Sequence, residues 1–345
     1  MLLPWDGPMK KELEIRRLAH AVYPYRWWAR EGGNMGDRLR DLWALRQVRT
    51  MASQLRRWDV DLIVTNTITS PSGALAALVL RKPHVWYIHE FGRADHGLSF
   101  YLGYPLTGKL ISGLSRSVIV NSRAVGDFYS RYIAPEKISV VYCGVDLPRR
   151  NGAQNDPRAE SRPPRLVMMA TYHPGKGHVV AMRALKQLVG EQVKAELVFA
   201  GAITDRRYFE LLKKTAGDLQ LEHSVSFEPY RDDPGTVMAD GEVILMCSRS
   251  EAFGLATVEA MKMGKPVVGA RAGATPELIQ EGVTGLLYEP DDPADLAAKI
   301  RFLLENPAAA KRMGENGRRR ADAEFSMDAY TDAVLRVFDE VLRAS

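Results

Sequence analysis

The segment EVILMCSRSEAFGLATVEAMKMGKPVVGAR, residues 242–271, decides how this chain folds. It opens with a continuous apolar run and passes through a short loop into a helical stretch from about Leu255 to Met263. Gly264 and Pro266 end that helix, because glycine adopts the left-handed turn after a helix and proline cannot continue one. A second, mostly apolar run, PVVGAR, follows. A strand, a helix and a strand in this order predict a βαβ unit of a parallel sheet.

The same alternation extends along the chain in both directions. The further strand candidates are DLIVTN, VWYIHE, SVIVNS, ISVVYCG, RLVMMAT, AELVFAG, SVSFEPY and GLLYEP, which begin at residues 61, 85, 117, 138, 165, 195, 224 and 285. Their apolar residues are continuous rather than alternating, which predicts strands covered on both faces. Helical stretches separate them, and three more close the chain near residues 292–305, 307–323 and 327–343.

One stretch interrupts this pattern. RRNGAQNDPRAESRPP, residues 149–164, is polar and rich in proline, which is typical of a linker. We therefore predict an α/β fold with two doubly wound, Rossmann-like domains, over residues 1–148 and 165–323. A C-terminal helix over residues 324–345 is expected to pack back toward the first domain. Ligands of such sheets bind outside the carboxyl ends of the strands, so the site is expected in the cleft between the domains.

Composition excludes several classes of protein. The 345 residues are 46% hydrophobic and 26% charged, which is typical of a globular chain and excludes disordered, collagen-like and disulfide-scaffold classes. No apolar run approaches the roughly 20 residues that span a bilayer, and no export signal is visible. Cys143 and Cys247 each stand alone in the sequence, which fits a reducing compartment. A cytoplasmic location is expected.

Charge is unevenly distributed. Residues 1–150 contain 22 Lys and Arg against 13 Asp and Glu, whereas residues 151–345 contain 25 against 29. All six tryptophans lie in the first part. A basic, aromatic surface could contact an anionic membrane peripherally, or the tryptophans could belong to the core and the arginines to a solvated face. No nucleic-acid motif is present, so a nucleic-acid partner is not expected.

The loop after EVILMCS carries the first candidate site. Gly254 allows a ligand to approach the backbone, and the unpaired amides at the start of the following helix can bind an anion. Glu251 and Glu259 are eight residues apart, about 80° on a continuous helix, but with Glu251 in the loop both can face one ligand. Glu259 could then accept hydrogen bonds from vicinal hydroxyls. The alternative is that both are ordinary charges, one in the first helical turn and one on a solvated face.

A second candidate lies in MATYHPGKGH, residues 169–178, directly after a strand. Gly175 and Gly177 flank Lys176 at a turn into a helix, which suits a cation held against phosphate. The sequence contains neither a Walker loop nor a GxGxxG motif. His89, at the end of another strand, is a third candidate, and GARAGATPE (269–277) is a further glycine loop that could contribute amides.

Together these segments resemble the family 4 retaining glycosyltransferases of the GT-B fold over roughly residues 60–345. EAFGLATVE resembles the E-x7-E signature of that family. GKPVVGARAGATPELIQEGVTGLLYEPDDPADLA continues in its order and spacing, and ISVVYCGVDL resembles its segment ending in G-V-D. The resemblance implies a UDP-, GDP- or ADP-linked sugar donor and an acceptor that is a glycan or lipid-linked glycan, with no cofactor.

The resemblance also implies roles for single residues. Glu251, near the donor sugar, Lys176, on the diphosphate, and His89, reaching the sugar and the acceptor, would be the catalytic residues. Glu259 would bind the ribose hydroxyls. The remaining donor-binding residues would be Phe253, Gly254 and Leu255 at the sugar and phosphates, Thr171 and Gly175 at the lysine turn, and Tyr230 and Arg231 beside the base.

Two departures from the family pattern are visible. Where the family often has Gly-Arg before the lysine turn, this chain has Ala170 and Thr171, so Lys176 would carry more of the charge, with help from Arg249 or Arg271. The family also begins with a strand and a glycine-rich loop. We identify no clear strand before Asp61, with HAVYPY (20–25) at best a short one, and expect a first domain that is truncated at its start.

The expected reaction is attack of an acceptor hydroxyl on the anomeric carbon, with retention of configuration and loss of a nucleoside diphosphate. No Asp-x-Asp pair is placed to hold a metal, so Lys176 and the helix N-terminus are expected to stabilise the leaving group. The alternatives are a sugar-nucleotide epimerase of the same fold, a truncated or inactive nucleotide-sugar binder or partner subunit, and a dehydrogenase, which the missing GxGxxG disfavours.

Overall fold

The computed structural model describes residues 1–24, 28–31, 44–147, 162–231 and 233–344. It divides into two compact units, Met1–Val141 with Asp332–Ser345, and Tyr142–Thr331. The predicted linker, residues 149–164, lies outside the described residues as far as residue 161. No helix among the described residues is both long enough and apolar enough to cross a membrane.

The first unit is built around a parallel sheet. Its described strands are β1 (Leu2–Leu3), β2 (Ala21–Val22), β3 (Ala29–Glu31), β4 (Ile63–Asn66), β5 (His84–Ile88), β6 (Leu98–Phe100), β7 (Ser117–Val120) and β8 (Ile138–Val140). Its described helices are α1 (Pro8–Ile15), α2 (Ala44–Arg57), α3 (Ser72–Leu80), α4 (Arg93–His96), α5 (Gly103–Leu114) and α6 (Arg123–Tyr129). The sheet order is β4-β5-β7-β8, with every pair parallel.

Among the described residues, three short strands precede Asp61: β2 lies within HAVYPY, where at best a short strand was expected, whereas β1 and β3 were not predicted. β1 and β2 pair in parallel, with α1 between them, and β3 pairs antiparallel with β6. Leu3 on β1 and Leu13 on α1 are buried. Strands of two or three residues are too short to produce a hydrophobic period, which is why the sequence pattern missed them.

The second unit contains a six-stranded parallel sheet in the order β11-β10-β9-β12-β13-β14. Its described strands are β9 (Arg165–Met169), β10 (Glu196–Gly201), β11 (Val225–Pro229), β12 (Val243–Met246), β13 (Val267–Ala270) and β14 (Leu286–Tyr288). The described helices are α7 (His178–Gly190), α8 (Arg206–Asp218), α9 (Pro234–Ala239), α10 (Leu255–Lys262), α11 (Thr275–Leu278), α12 (Pro293–Glu305), α13 (Pro307–Glu324) and α14 (Met327–Arg343), the last of which continues into the first unit.

Both faces of this sheet are covered, as the continuous apolar runs predicted. Successive residues of a strand point to opposite faces. On β10, Leu197 and Phe199 belong to one buried cluster, with α7, α8 and α12, while Val198 and Ala200 belong to a second cluster, with α9, α10 and Phe325. The inner strands therefore need apolar residues on both faces, which confirms the prediction of a doubly covered sheet.

The strands predicted from residue 61 onward are all present, and most of them are one to three residues shorter than the apolar segments that predicted them. The largest difference is ISVVYCG, where β8 ends at Val140. β6 and the four-residue α4 were not predicted. The three closing helices lie where the pattern placed them.

Candidate functional site

Three loops of the second unit leave neighbouring strands at the same edge of the sheet. They follow β9, β12 and β13, which are adjacent and parallel, so their carboxyl ends lie side by side. The first loop carries Lys176, the second Glu251, and the third Gly273. The sequence predicted the first two loops as phosphate and sugar sites from separate motifs, and the sheet order brings them together.

The first two loops are in direct contact. Gly177 has φ +81°, and a Cβ there would lie 2.8 Å from the Cβ of Cys247 and closer still to its carbonyl oxygen. Real Cβ atoms do not approach within 3.0 Å, so only glycine fits this position. The Arg249 amide also donates to the carbonyl oxygen of Gly175 at 3.0 Å. The backbone therefore fixes the lysine turn against the loop of Glu251.

Lys176 and Glu251 form an ion pair. Nζ of Lys176 donates to Oε2 of Glu251 at 3.1 Å, and the two side chains are 30% and 17% exposed. The two residues were predicted to have separate roles, and no contact between them was expected, since 75 positions separate them. The pair places one positive and one negative charge beside the N-terminus of α10.

Glu259 lies on α10, whose N-cap is Gly254 with φ +103°. Its side chain is half-buried, and no hydrogen bond or ion pair to another described residue holds its carboxylate. Burial raises the pKa of Glu259 above its ordinary value. A carboxylate without a protein partner can accept hydrogen bonds from a ligand hydroxyl, which is the chemistry predicted for this residue.

The two predicted residues beside Gly254 differ in exposure. Phe253 is 3% exposed and packs between Tyr142 and Phe325, at ring-centroid distances of 6.1 and 6.0 Å. Its side chain is part of the core, so a ligand could meet only its backbone. Leu255, the first residue of α10, is 52% exposed.

The remaining donor-side predictions are mostly exposed. Thr171 is exposed after β9, and the Gly175 amide donates to Nδ1 of His173 at 3.2 Å. Tyr230 is 65% exposed after β11. The neighbouring Arg231 forms an ion pair with Glu228 at 3.6 Å.

The two arginines expected to assist Lys176 are both engaged by carboxylates. Arg249 pairs with Asp291 at 2.8 Å. Arg271 pairs with Glu281 at 3.2 Å and with Glu289 at 3.0 Å. Lys176, and neither arginine, is therefore the cation paired with Glu251 among the described residues. For either arginine to assist Lys176 in binding phosphate, it would have to break its ion pairs with these carboxylates.

His89 lies in the first unit, directly after β5. Its Nε2 is 2.5 Å from Oδ1 of Asn66, and its carbonyl oxygen accepts a hydrogen bond from Nδ2 of Asn121 at 2.9 Å. Since an amide oxygen only accepts, the contact assigns the ring proton to Nε2 and leaves Nδ1 as an acceptor. Burial lowers the pKa of His89 to about 4, so the ring is neutral at pH 7.

Sequence reasoning missed one buried histidine beside the site. His178 opens α7, two residues after Lys176, and is completely buried. Its ring stacks on Tyr172 at 5.4 Å, and neither ring nitrogen has a hydrogen-bond partner among the described residues. Burial, with a contribution from Lys176, lowers the pKa of His178 to about 4. The apolar period of α7 could have indicated this burial, but not the lack of partners.

The described residues contain no group of three or more His, Cys, Asp or Glu side chains arranged to hold a metal ion. The adjacent carboxylates of Asp291 and Asp292 both bind groups of the protein. Asp291 pairs with Arg249, and Asp292 caps α12 by accepting from the amides of Ala294 and Asp295.

Two family models match consecutive parts of the chain, which together run from residue 10 to residue 320. The model described as Glycosyltransferase Family 4 matches residues 10–149, and the model described as Glycosyl transferases group 1 matches residues 151–320. The second match contains all the loops of the candidate site in the second unit, and the first contains His89.

Curated relatives extend this similarity. The chain is 30% identical over 320 residues to MMP alpha-(1->4)-mannosyltransferase of Mycolicibacterium hassiacum, covering 87% of this chain and 74% of that protein. It is 31% identical over 293 residues to D-inositol 3-phosphate glycosyltransferase 1 of Catenulispora acidiphila, covering 77% and 69%. Among solved structures, HepE of Anabaena in complex with UDP and glucose superposes with a TM-score of 0.82 at 24% identity, covering 98% of this chain and 90% of that chain.

Proposed function

This chain belongs to the family 4 glycosyltransferases, with the GT-B fold, and is a transferase of glycosyl groups; on that premise we propose that it moves a sugar from a nucleotide-sugar donor to an acceptor hydroxyl with retention of configuration and without a metal ion. The observation that carries the proposal is the pairing of Lys176 with Glu251 at the head of the helix that bears Glu259. One edge of the sheet thus offers a cation and a carboxylate in contact, and the helix that begins there bears a second carboxylate that no other described residue binds.

The three side chains suit the parts of a nucleotide sugar. The ammonium of Lys176 has three donors and gives one to Glu251, which leaves others for phosphate oxygens. The amides at the start of α10 can bind the same phosphates, because a helix N-terminus carries a partial positive charge. Glu259 accepts hydrogen bonds from the ribose hydroxyls, and Glu251 contacts the donor sugar.

The chemical step places new charge at Lys176. As the glycosidic bond breaks, the anomeric carbon becomes oxocarbenium-like and negative charge accumulates on the leaving phosphate oxygen. A fixed ammonium beside that oxygen stabilises the transition state more than the ground state, which is the requirement for raising kcat. The bond from the anomeric carbon to the phosphate oxygen breaks, the acceptor oxygen becomes bonded to that carbon, and the hydroxyl proton passes to the released nucleoside diphosphate or to water.

UDP-linked sugars lead the list of candidate donors, because HepE was solved with UDP and glucose and shares this fold. A thermal-shift panel of UDP-, GDP- and ADP-linked sugars identifies the base. Ligand at 100 times its Kd adds about 2.7 kcal/mol of stability, a shift of several degrees. Transfer is then followed as nucleoside diphosphate release that depends on acceptor. Release that needs no acceptor, or isomerisation of the donor alone, would contradict the proposal.

For the acceptor we propose a glycan or lipid-linked glycan at the cytoplasmic face of a membrane. The support is the excess of positive charge in residues 1–150. The tryptophans support membrane contact less strongly than the sequence suggested. Trp86 is buried, Trp28 stacks on it at 5.7 Å and Trp58 packs against the core, so Trp5, 58% exposed, is the most exposed of the described tryptophans. Binding to anionic vesicles that weakens with salt, and is absent on neutral vesicles, tests this proposal.

A further inference from the structure

The loop after β13 touches the backbone of Glu251 at a glycine. Gly273 has φ +53°, and a Cβ built on it would lie 2.7 Å from the amide nitrogen of Glu251 and closer still to its carbonyl oxygen. The next residue, Ala274, donates its amide to that same carbonyl oxygen at 2.8 Å. Both contacts are made to main-chain atoms, which cannot rotate away as a flexible side chain could.

These contacts hold the residue whose carboxylate pairs with Lys176. From the other side, the Arg249 amide bonds to Gly175, so the loop of Glu251 is held between the lysine turn and the Gly273 loop. We propose that Gly273 is a positioning residue for Glu251: its missing side chain lets Glu251 sit where its carboxylate meets Lys176, and any Cβ at position 273 displaces that carboxylate. The expected loss of catalysis rests on the proposed function, whereas the expected displacement of Glu251 does not.

Gly282 provides a matched control. It also has a left-handed backbone, φ +73°, but no other described atom lies within 4 Å of the Cβ that an alanine would add. Gly282→Ala and Gly273→Ala therefore carry similar backbone strain. They differ in whether the new methyl group meets the backbone of Glu251, so comparing them separates positioning from strain.

The structural part of the proposal is tested by coupling between mutations. Lys176→Met is combined with each glycine variant, and the unfolding equilibrium is measured with urea. If Gly273 positions Glu251, Lys176→Met costs less in the Gly273→Ala background, where the ion pair is already disrupted. We expect a coupling of about fivefold in the unfolding equilibrium constant. In the Gly282→Ala background, Lys176→Met should change the unfolding equilibrium constant by the same factor as in the wild type. Independent effects with Gly273→Ala would overturn the proposal.

The catalytic part is tested with the same proteins. Displacement of a reacting group by about 1 Å can cost a hundredfold in rate, so we expect kcat of Gly273→Ala to fall by about that factor while Gly282→Ala keeps the wild-type value. In a Glu251→Gln background, the Gly273→Ala change should cost little more, because the group it positions is gone. An equal loss in both backgrounds would show that Gly273 does not act through Glu251.

A second variant guards against misfolding of Gly273→Ala. Ala274→Pro perturbs the same oxygen from the next position, because its ring Cδ replaces the amide hydrogen that bonds to the carbonyl oxygen of Glu251, and Ala274 already has φ −81°, which proline accepts. It should show the same coupling to Lys176→Met. Coupling without any transfer activity in the wild-type chain would refute the proposed function and leave the positioning intact, whereas activity without coupling would do the reverse.

Discussion

Replacing Lys176 by methionine tests the proposed chemistry most directly, because the side chain keeps its length and loses its charge. Nζ lies 3.1 Å from Oε2 of Glu251, and at an effective dielectric constant of 20 two unit charges at that distance attract by about 5 kcal/mol before desolvation is subtracted. A leaving diphosphate carries more charge than one carboxylate. Loss of one fixed donor to a developing oxyanion costs about 3 to 4 kcal/mol in other enzymes. We expect kcat to fall by about two to three decades.

The same substitution should also weaken donor binding, for a reason that the ion pair supplies. Without Lys176, Glu251 is a poorly exposed carboxylate with no compensating ammonium, and it repels a diphosphate. Adding Glu251→Gln removes that repulsion. The double variant should therefore regain affinity for nucleoside diphosphate while kcat stays low.

The assay is steady-state release of nucleoside diphosphate at saturating donor, with affinity measured by calorimetry. Lys186→Met is the control, since Lys186 lies on α7 and contacts Gln220 on the exposed surface. A kcat for Lys176→Met within about threefold of that control would refute the role assigned to Lys176. Equal affinities of the single and double variants would refute the role assigned to the ion pair.

Three further outcomes are expected. Glu259→Gln should raise the Kd for nucleoside diphosphate, measured by calorimetry, by about tenfold, because it removes a hydrogen bond to a charged group. In the wild type, affinity should fall as pH falls toward the raised pKa of Glu259, and the variant should lack this pH dependence. Burial lowers the pKa of His178 to about 4, against 6.5 in the unfolded chain, so the free energy of unfolding falls by up to about 3 kcal/mol as pH falls from 6.5 to 4. His178→Phe should therefore unfold in urea with a shallower pH dependence and without loss of stability at pH 7. Asn66→Asp puts a carboxylate against the ring of His89, whose pKa of about 4 should rise in an NMR titration, and an unchanged titration would mean that the two side chains do not meet.

The apolar runs determined most of the fold. A strand covered on both faces must be apolar at every position, and such runs therefore predict parallel sheets before any tertiary contact is known. β10 illustrates this, because Leu197 and Val198 are adjacent in sequence and belong to different buried clusters. The short strands at the N-terminus lay beyond this reasoning, because two residues such as Leu2–Leu3 carry no period.

The amino-acid sequence was sufficient to predict the strands of the second unit, the loops that follow them and the residue types in those loops. Glycine, lysine and glutamate after an apolar run predict a polar site at the carboxyl ends of strands. Which of these residues are in contact depends on the order of the strands in the folded sheet. Lys176 and Glu251 touch because β9 and β12 are neighbours in the sheet, and Gly273 touches Glu251 because β13 lies on the other side of β12. Strand order depends on the packing of the whole unit, and no local pattern of residues records it.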